Sequence, residues 1–68
     1  MKAPKYVIAP KGCANYLTPG KRYPVMNFDD TGDGIGFDTI DDDGVELYAS
    51  LNDSAHLNGG NWIIPDEV

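Results

Sequence analysis

Ile35-Gly-Phe-Asp-Thr-Ile-Asp-Asp-Asp-Gly-Val-Glu-Leu-Tyr-Ala-Ser-Leu51 is the stretch that decides the fold, because it places two strand-like runs around one acidic turn. A two-residue loop at 43–44 would force Asp38 and Asp42 onto the side of the core residues. A three-residue loop at 42–44 avoids this conflict and predicts a left-handed backbone at Gly44, where glycine is least strained. In that register one face of the hairpin carries the set Ile35, Phe37, Thr39, Val45, Leu47, Ala49 and Leu51.

Turn residues divide the rest of the chain into short segments of the same kind. The sequence predicts strands over residues 5–9, 21–28, 35–41, 45–51 and 61–64, with a short helical turn near residues 52–57, capped by Asp53 or Ser54. Thr18-Pro-Gly-Lys21 has the residues of a type II turn. Pro24 cannot donate a backbone hydrogen bond, so it marks an edge or a bulge in the second strand. We therefore expect residues 1–68 to form one all-β domain, a small sandwich or barrel.

The charge is unevenly distributed along the chain. There are 5 basic and 11 acidic residues, which give a formal net charge of −6. All the basic residues lie between Lys2 and Arg22, so residues 23–68 carry only acidic charge. Nucleic-acid binding depends mainly on Lys and Arg at phosphates, so this layout argues against nucleic acid or an anionic membrane as the partner.

The cellular compartment is indicated by two features. Cys13 is the only cysteine, which is typical of a reducing compartment. The apolar run at residues 6–9 is too short for a signal peptide or a membrane span. We therefore expect a soluble, cytoplasmic protein.

Leu17-Thr-Pro-Gly-Lys-Arg-Tyr-Pro-Val25 resembles the turn and strand that follow the long loop of SH3-like barrels. The chain is also similar to small SH3-like proteins of unknown function encoded by phages and prophages. In those proteins a Leu-Thr-x-Gly-Lys-x-Tyr segment precedes a hairpin with an Asp-Asp-Gly turn, here residues 42–44. The resemblance covers residues 6–57 and implies a five-stranded SH3-like barrel.

The ligand groove of peptide-binding SH3 domains is not implied by this resemblance. Those domains have a Trp at the start of the strand after the second loop, where this chain has Ile35 and Gly36. They also have a Pro followed by Asn-Tyr after the fourth strand, where this chain has residues 50–53, Ser-Leu-Asn-Asp. A shared fold would not transfer the function in any case.

Candidate catalytic and metal-binding residues are few. Cys13 and His56 are each the only residue of their type, and no spacing connects either to an acid–base partner. The loop at 29–34 begins like an EF-hand loop, but its twelfth position is Ile40 rather than the bidentate Glu. We expect these acids to form turns, with a weak calcium site as the alternative. The sequence predicts no enzymatic activity, no metal and no cofactor.

The hairpin register leaves Tyr48 and Ile40 on the face opposite the apolar set. An exposed aromatic residue next to an aliphatic one, surrounded by acids, is typical of a protein-binding patch. The alternative is a strongly curled barrel that partly buries both faces of the hairpin. The candidate partner-binding residues are Tyr16, Ile40, Tyr48, Trp62, Asp29, Asp30 and Asp33.

The expected function is that of a non-enzymatic protein–protein interaction module of phage or prophage origin. Its partner is another protein, and the sequence leaves homo-oligomer formation open. The alternative function is an acidic inhibitor that occupies the basic cleft of a nucleic-acid-handling host enzyme.

Overall fold

The computed structural model describes residues 3–30, 32 and 34–65, which form a small all-β structure. The elements are β1 (Tyr6–Ile8), β2 (Arg22–Pro24), β3 (Met26–Asp29), β4 (Gly36–Ile40), β5 (Glu46–Ser50) and a 3-10 turn (Ala55–Leu57). Antiparallel pairing gives a two-stranded sheet, β1-β2, and a three-stranded sheet, β3-β4-β5. The predicted all-β class is confirmed, but the strands form two sheets and do not close into a barrel. In the described part of the chain, no helix has the length and apolar character needed to cross a membrane.

The β4–β5 hairpin has the predicted register. Phe37 pairs with Ala49, and Thr39 pairs with Leu47. The Asp41 amide donates to the Val45 carbonyl at 2.9 Å, which leaves residues 42–44 as the loop. Gly44 has φ 80°, so the prediction of a left-handed residue at the end of a three-residue loop is confirmed.

One predicted strand is split and another is reduced. The predicted strand 21–28 changes sheets: the Val25 amide still donates to the Lys5 carbonyl beside β1, whereas Met26 already pairs with Asp38 on β4. The β3–β4 register then shifts between Met26 and Asp29, as at a β-bulge. The predicted strand 61–64 is wrong as a strand, because its described ladder is a single bridge between Ile63 and Ile8.

Trp62 joins the two sheets through aromatic contacts. Its ring makes edge-to-face contacts with Tyr23 on β2, at a centroid distance of 5.9 Å, and with Phe37 on β4, at 5.8 Å. Its exposed fraction is only 4%. Trp62, one of the predicted partner-binding residues, is therefore a core residue that fills the gap between the sheets and has little surface left for a partner. The buried hydrophobic core consists of Val7, Ala9, Leu17, Tyr23, Phe37, Ala49, Leu51, Leu57 and Trp62.

Val45 was predicted to lie with the buried apolar residues, and this prediction is wrong. Its side chain shares the inner face of the hairpin, but it lies beside the turn, past the end of the core, and is 52% exposed.

The predicted turns agree better with the structure. Gly20 has φ 83° and the Lys21 amide donates to the Thr18 carbonyl at 3.1 Å, which confirms the type II turn. The predicted helical turn is confirmed as the 3-10 turn, with Ser54 at its N-cap but without a side-chain capping bond.

Candidate functional site

The three-stranded sheet has one face on the core and one face directed outward, which we call the outer face. Alternation along β4 and β5 places these residues on it: Gly36, Asp38, Ile40, Glu46, Tyr48 and Ser50. Tyr48 is 65% exposed and Ile40 is 37% exposed, so both lie outside the core as the register predicts. The alternative, in which a curled sheet buries both faces of the hairpin, does not hold for Tyr48.

The ring of Tyr48 lies across the strand on Gly36 instead of projecting into solvent. The backbone partner of Tyr48 is Asp38, which makes Gly36 its diagonal neighbour on β4. A Cβ atom added at Gly36 would overlap the Tyr48 hydroxyl and would lie 2.6 Å from ring atom Cζ. Glycine at position 36 therefore makes the space in which the Tyr48 ring rests.

A cavity opens beside this ring, with a volume of about 270 Å³. Its described walls come from the end of β3, the loop that follows it and the outer face. The lining residues are Asp29, Gly32, Gly34, Ile35, Gly36, Tyr48 and Ser50. The predicted proximity of Tyr48 to the acidic loop is therefore found for Asp29; Asp30 is exposed in the same loop, and Asp33 lies outside the described residues.

Further polar and acidic groups lie on the outer face. Asp38 is half-buried, and its carboxylate accepts a hydrogen bond of 2.8 Å from the Asn27 side-chain amide. Glu46 is exposed opposite Ile40. Tyr48 therefore has Asp38 directly opposite it and Glu46 two residues before it on the same face of the sheet.

Asp42 has a structural role that the sequence analysis did not find. Its carboxylate accepts hydrogen bonds from the Thr18 hydroxyl at 2.7 Å, the Lys21 ammonium at 2.6 Å and the Tyr23 hydroxyl at 2.8 Å. These bonds, the one from Lys21 most of all, lower the pKa of Asp42 from 3.8 to about 2. The hairpin turn is thereby connected to the type II turn and to β2, which lie about twenty positions earlier.

The two titratable donors, Lys21 and Tyr23, have raised pKa values, whereas the pKa of Asp42 is lowered. The pKa of Tyr23 is raised above 10.0, chiefly because burial disfavours the phenolate. The pKa of Lys21 is raised above 10.5, chiefly by its hydrogen bond to Asp42. No pattern in the sequence connects residues 18–23 to residue 42, so only the tertiary structure reveals this cluster.

Tyr16 lies away from the outer face, half-buried beside the 3-10 turn. Its hydroxyl is 2.5 Å from His56 Nδ1, and His56 Nε2 is 3.0 Å from the Tyr48 carbonyl oxygen. A carbonyl only accepts hydrogen bonds, so Nε2 donates to it; in the neutral ring, Nδ1 then accepts from the Tyr16 hydroxyl. His56 therefore connects the loop between β1 and β2 to the edge strand β5, which is a structural role.

Cys13 and His56 are hydrogen-bonded to other groups rather than to each other. The Cys13 thiol donates to the Leu17 carbonyl at 3.7 Å, while Tyr16 and Tyr48 occupy both ring nitrogens of His56. Within residues 3–30, 32 and 34–65, no group of three or more His, Cys, Asp or Glu residues is placed to hold a metal ion.

Comparison of the chain with protein-family models, with curated proteins and with solved structures finds no match. The resemblance to SH3-like and phage-encoded proteins therefore has no support beyond the turn motifs.

Proposed function

We propose that this protein is a non-enzymatic interaction module that binds another protein through the outer face, with Tyr48 at the centre of the contact. The observation that carries the proposal is the position of Tyr48: 65% exposed, yet laid on Gly36 in the middle of a paired sheet. Tyrosine is enriched at the centres of interfaces, because it offers a large contact area with little side-chain entropy to lose.

The surroundings of Tyr48 support the same proposal. Ile40 lies on β4 two residues after Asp38, the backbone partner of Tyr48, and adds apolar area that remains partly exposed. The carboxylates of Asp29, Asp38 and Glu46 surround this apolar centre. An apolar centre with a polar rim is the usual anatomy of a protein interface.

The proposal also includes an SH3-like fold, a phage or prophage origin and a cytoplasmic location. An SH3-like arrangement is supported by the strand order, the type II turn at 18–21 and the hairpin turn at 42–44. Phage or prophage origin rests on the same turn motifs. The lone Cys13 supports a cytoplasmic location.

The acidic-inhibitor alternative is less well supported by the positions of the hairpin acids. Asp42 is paired with Lys21, and Asp41 Oδ1 accepts the backbone amides of Asp43 and Val45, both at 2.9 Å. These two acids serve the fold itself. Salt dependence separates the two functions, because an inhibitor that binds through charge loses affinity steeply as ionic strength rises, whereas an aromatic-centred contact loses much less.

Affinity capture from a host lysate, quantified by mass spectrometry, tests the proposal with three variants. Tyr48→Ala should abolish capture, because truncating a central aromatic residue typically costs about 2 kcal/mol or more of binding. Gly36→Ala should weaken capture as well, since the new Cβ displaces the Tyr48 ring while the backbone of residue 36 tolerates alanine. Val45→Ala removes an exposed side chain from the hairpin end and should leave capture unchanged. Capture that survives Tyr48→Ala but fails when Asp29 and Asp30 become Asn would contradict the proposal and favour the inhibitor.

A further inference from the structure

We infer that a second copy of this chain docks on the outer face, and that it does so through the outward side of its two-stranded sheet. The inference rests on the part of the proposed function that makes the outer face a contact surface, and it names the partner. It is carried by the composition of the two sheet sides that point away from the core.

The outward side of the two-stranded sheet, which we call the β1–β2 face, is apolar and carries a cation. Val7 and Tyr23 pair on the core side, so their neighbours along β1 and β2 point outward. Ile63 exchanges backbone hydrogen bonds of 2.8 and 3.0 Å with Ile8, which adds its side chain to the same side. The β1–β2 face consists of Tyr6, Ile8, Arg22, Pro24 and Ile63.

The Arg22 side chain is held on this face by an aromatic contact. Its guanidinium lies 4.4 Å from the centroid of the Tyr6 ring, and such a cation–π contact does not use the N–H donors. Among residues 3–30, 32 and 34–65 the ion pair is that of Lys21 with Asp42, so no described carboxylate neutralises Arg22. Ile63 is 47% exposed. The β1–β2 face therefore presents a positioned cation together with exposed apolar area.

The outer face has the complementary composition. Tyr48 and Ile40 provide its exposed apolar area. Along β4 and β5 its charged residues are Asp38 and Glu46, both acidic. The hydrogen bond that Asp38 accepts comes from the neutral amide of Asn27, so the negative charge of the carboxylate is not cancelled. Opposite charges set within apolar surfaces are the pattern of two surfaces that bind each other.

The two faces cannot meet within one molecule. The inner residues of both sheets, among them Val7 and Phe37, pack into one core, so the outward sides of the sheets point away from it. A second copy supplies the missing surface, because each chain carries both halves of the contact. The two halves differ, so the contact is heterologous: each bound copy still has one face unoccupied, and assembly continues beyond two chains.

Sedimentation equilibrium of the purified protein tests the inference. The average mass should rise with concentration from the 7.4 kDa of one chain to beyond that of a dimer. Arg22→Glu reverses the charge of the β1–β2 face, and Tyr48→Ala removes the aromatic centre of the outer face. Each should weaken self-association at least about tenfold. Lys11→Glu makes the same charge change at an exposed loop position, and Val45→Ala trims the exposed hairpin end; both should leave it unchanged.

Mixing the two weakened variants tests the heterologous geometry. Arg22→Glu keeps a native outer face and Tyr48→Ala keeps a native β1–β2 face, so an equimolar mixture should form a heterodimer that stops at two chains. It should associate at least about tenfold more tightly than either variant alone. Far-UV circular dichroism verifies that each variant is folded. If Arg22→Glu does not fold, Arg22→Gln removes the charge alone and takes its place.

Three results would overturn the inference. The first is a wild-type protein that stays monomeric at every concentration, and the second is a mixture of the two variants that does not associate. The third is self-association of Arg22→Glu as strong as that of the wild type, because a symmetric pairing of two outer faces does not need the β1–β2 face.

The outcomes separate this inference from the proposed function. If the wild type stays monomeric while Tyr48→Ala abolishes capture from the lysate, the inference is wrong and the interaction module stands with a foreign partner. If the two variants associate on mixing while capture tolerates Tyr48→Ala, the outer face binds a second copy, and the foreign partner of the proposed function is wrong.

Discussion

Thr39→Val should stabilise the protein, although it removes a polar group from the centre of the sheet. Thr39 is fully buried on β4, and its hydroxyl has no hydrogen-bond partner among the described residues. An unpaired buried hydroxyl costs about 1–3 kcal/mol, and valine has nearly the same shape with a methyl group in place of the hydroxyl. We expect a gain of about 1–2 kcal/mol, which raises Tm by about 4–8 °C per kcal/mol in a domain of this size.

Urea unfolding followed by the fluorescence of Trp62, the sole tryptophan, measures this change. The midpoint should rise while the m-value stays constant, because valine leaves the surface exposed on unfolding almost unchanged. Thr39→Ser is the matched control: it keeps the hydroxyl, deletes the methyl group and should cost about 1 kcal/mol. If Thr39→Val instead destabilises by 1 kcal/mol or more, the hydroxyl is hydrogen-bonded in the folded protein and the reasoning fails.

Two further predictions concern the loops. Asp42 should produce an acid transition: its folded pKa of about 2 lies below 3.8, so its stabilisation is complete above about pH 4 and is lost as the pH falls toward 2. The raised pKa values of Lys21 and Tyr23 have the opposite sense, and their contribution is lost as the pH rises above about 10. Thermal melts across pH should show the stability difference between wild type and Asp42→Asn shrinking at both extremes; a constant difference would contradict this. Gly44→Ala should cost about 1 kcal/mol through its φ of 80°, and an unchanged urea midpoint would refute that cost.

The hairpin could be predicted from the sequence because everything that specifies it is local. Alternating polar and apolar residues set the faces, and the glycine at the third loop position sets the turn. Asp41 completes the turn by accepting the backbone amides of Asp43 and Val45 with one carboxylate oxygen. The same local reasoning succeeded for the type II turn at 18–21.

Apart from Val45, which lies at the hairpin end, the errors involve contacts between distant parts of the chain. Trp62 is far in sequence from Tyr23 and Phe37, so its position between them depends on how the two sheets meet. The cluster around Asp42 has the same origin. The sequence indicated a defect at Pro24, but not that the chain would cross from one sheet to the other at that point.

The contact between Tyr48 and Gly36 has a structural interpretation that competes with binding. An aromatic ring laid over a glycine shields the strand backbone, and cross-strand pairs of this kind contribute about 0.2–1 kcal/mol to folding. That is less than the roughly 2 kcal/mol or more that a central interface aromatic contributes to binding. Tyr48 itself stays 65% exposed, so most of its surface remains available to a partner.

Tyr48→Ala therefore separates the two interpretations. The His56 contact uses the Tyr48 carbonyl and so survives the substitution, since the main chain is unchanged. We expect a loss of at most about 1 kcal/mol of folding stability in urea, alongside loss of partner capture. A variant that unfolds, or whose stability falls by several kcal/mol, would make Tyr48 a structural residue and would remove the main support for the outer face as a binding surface.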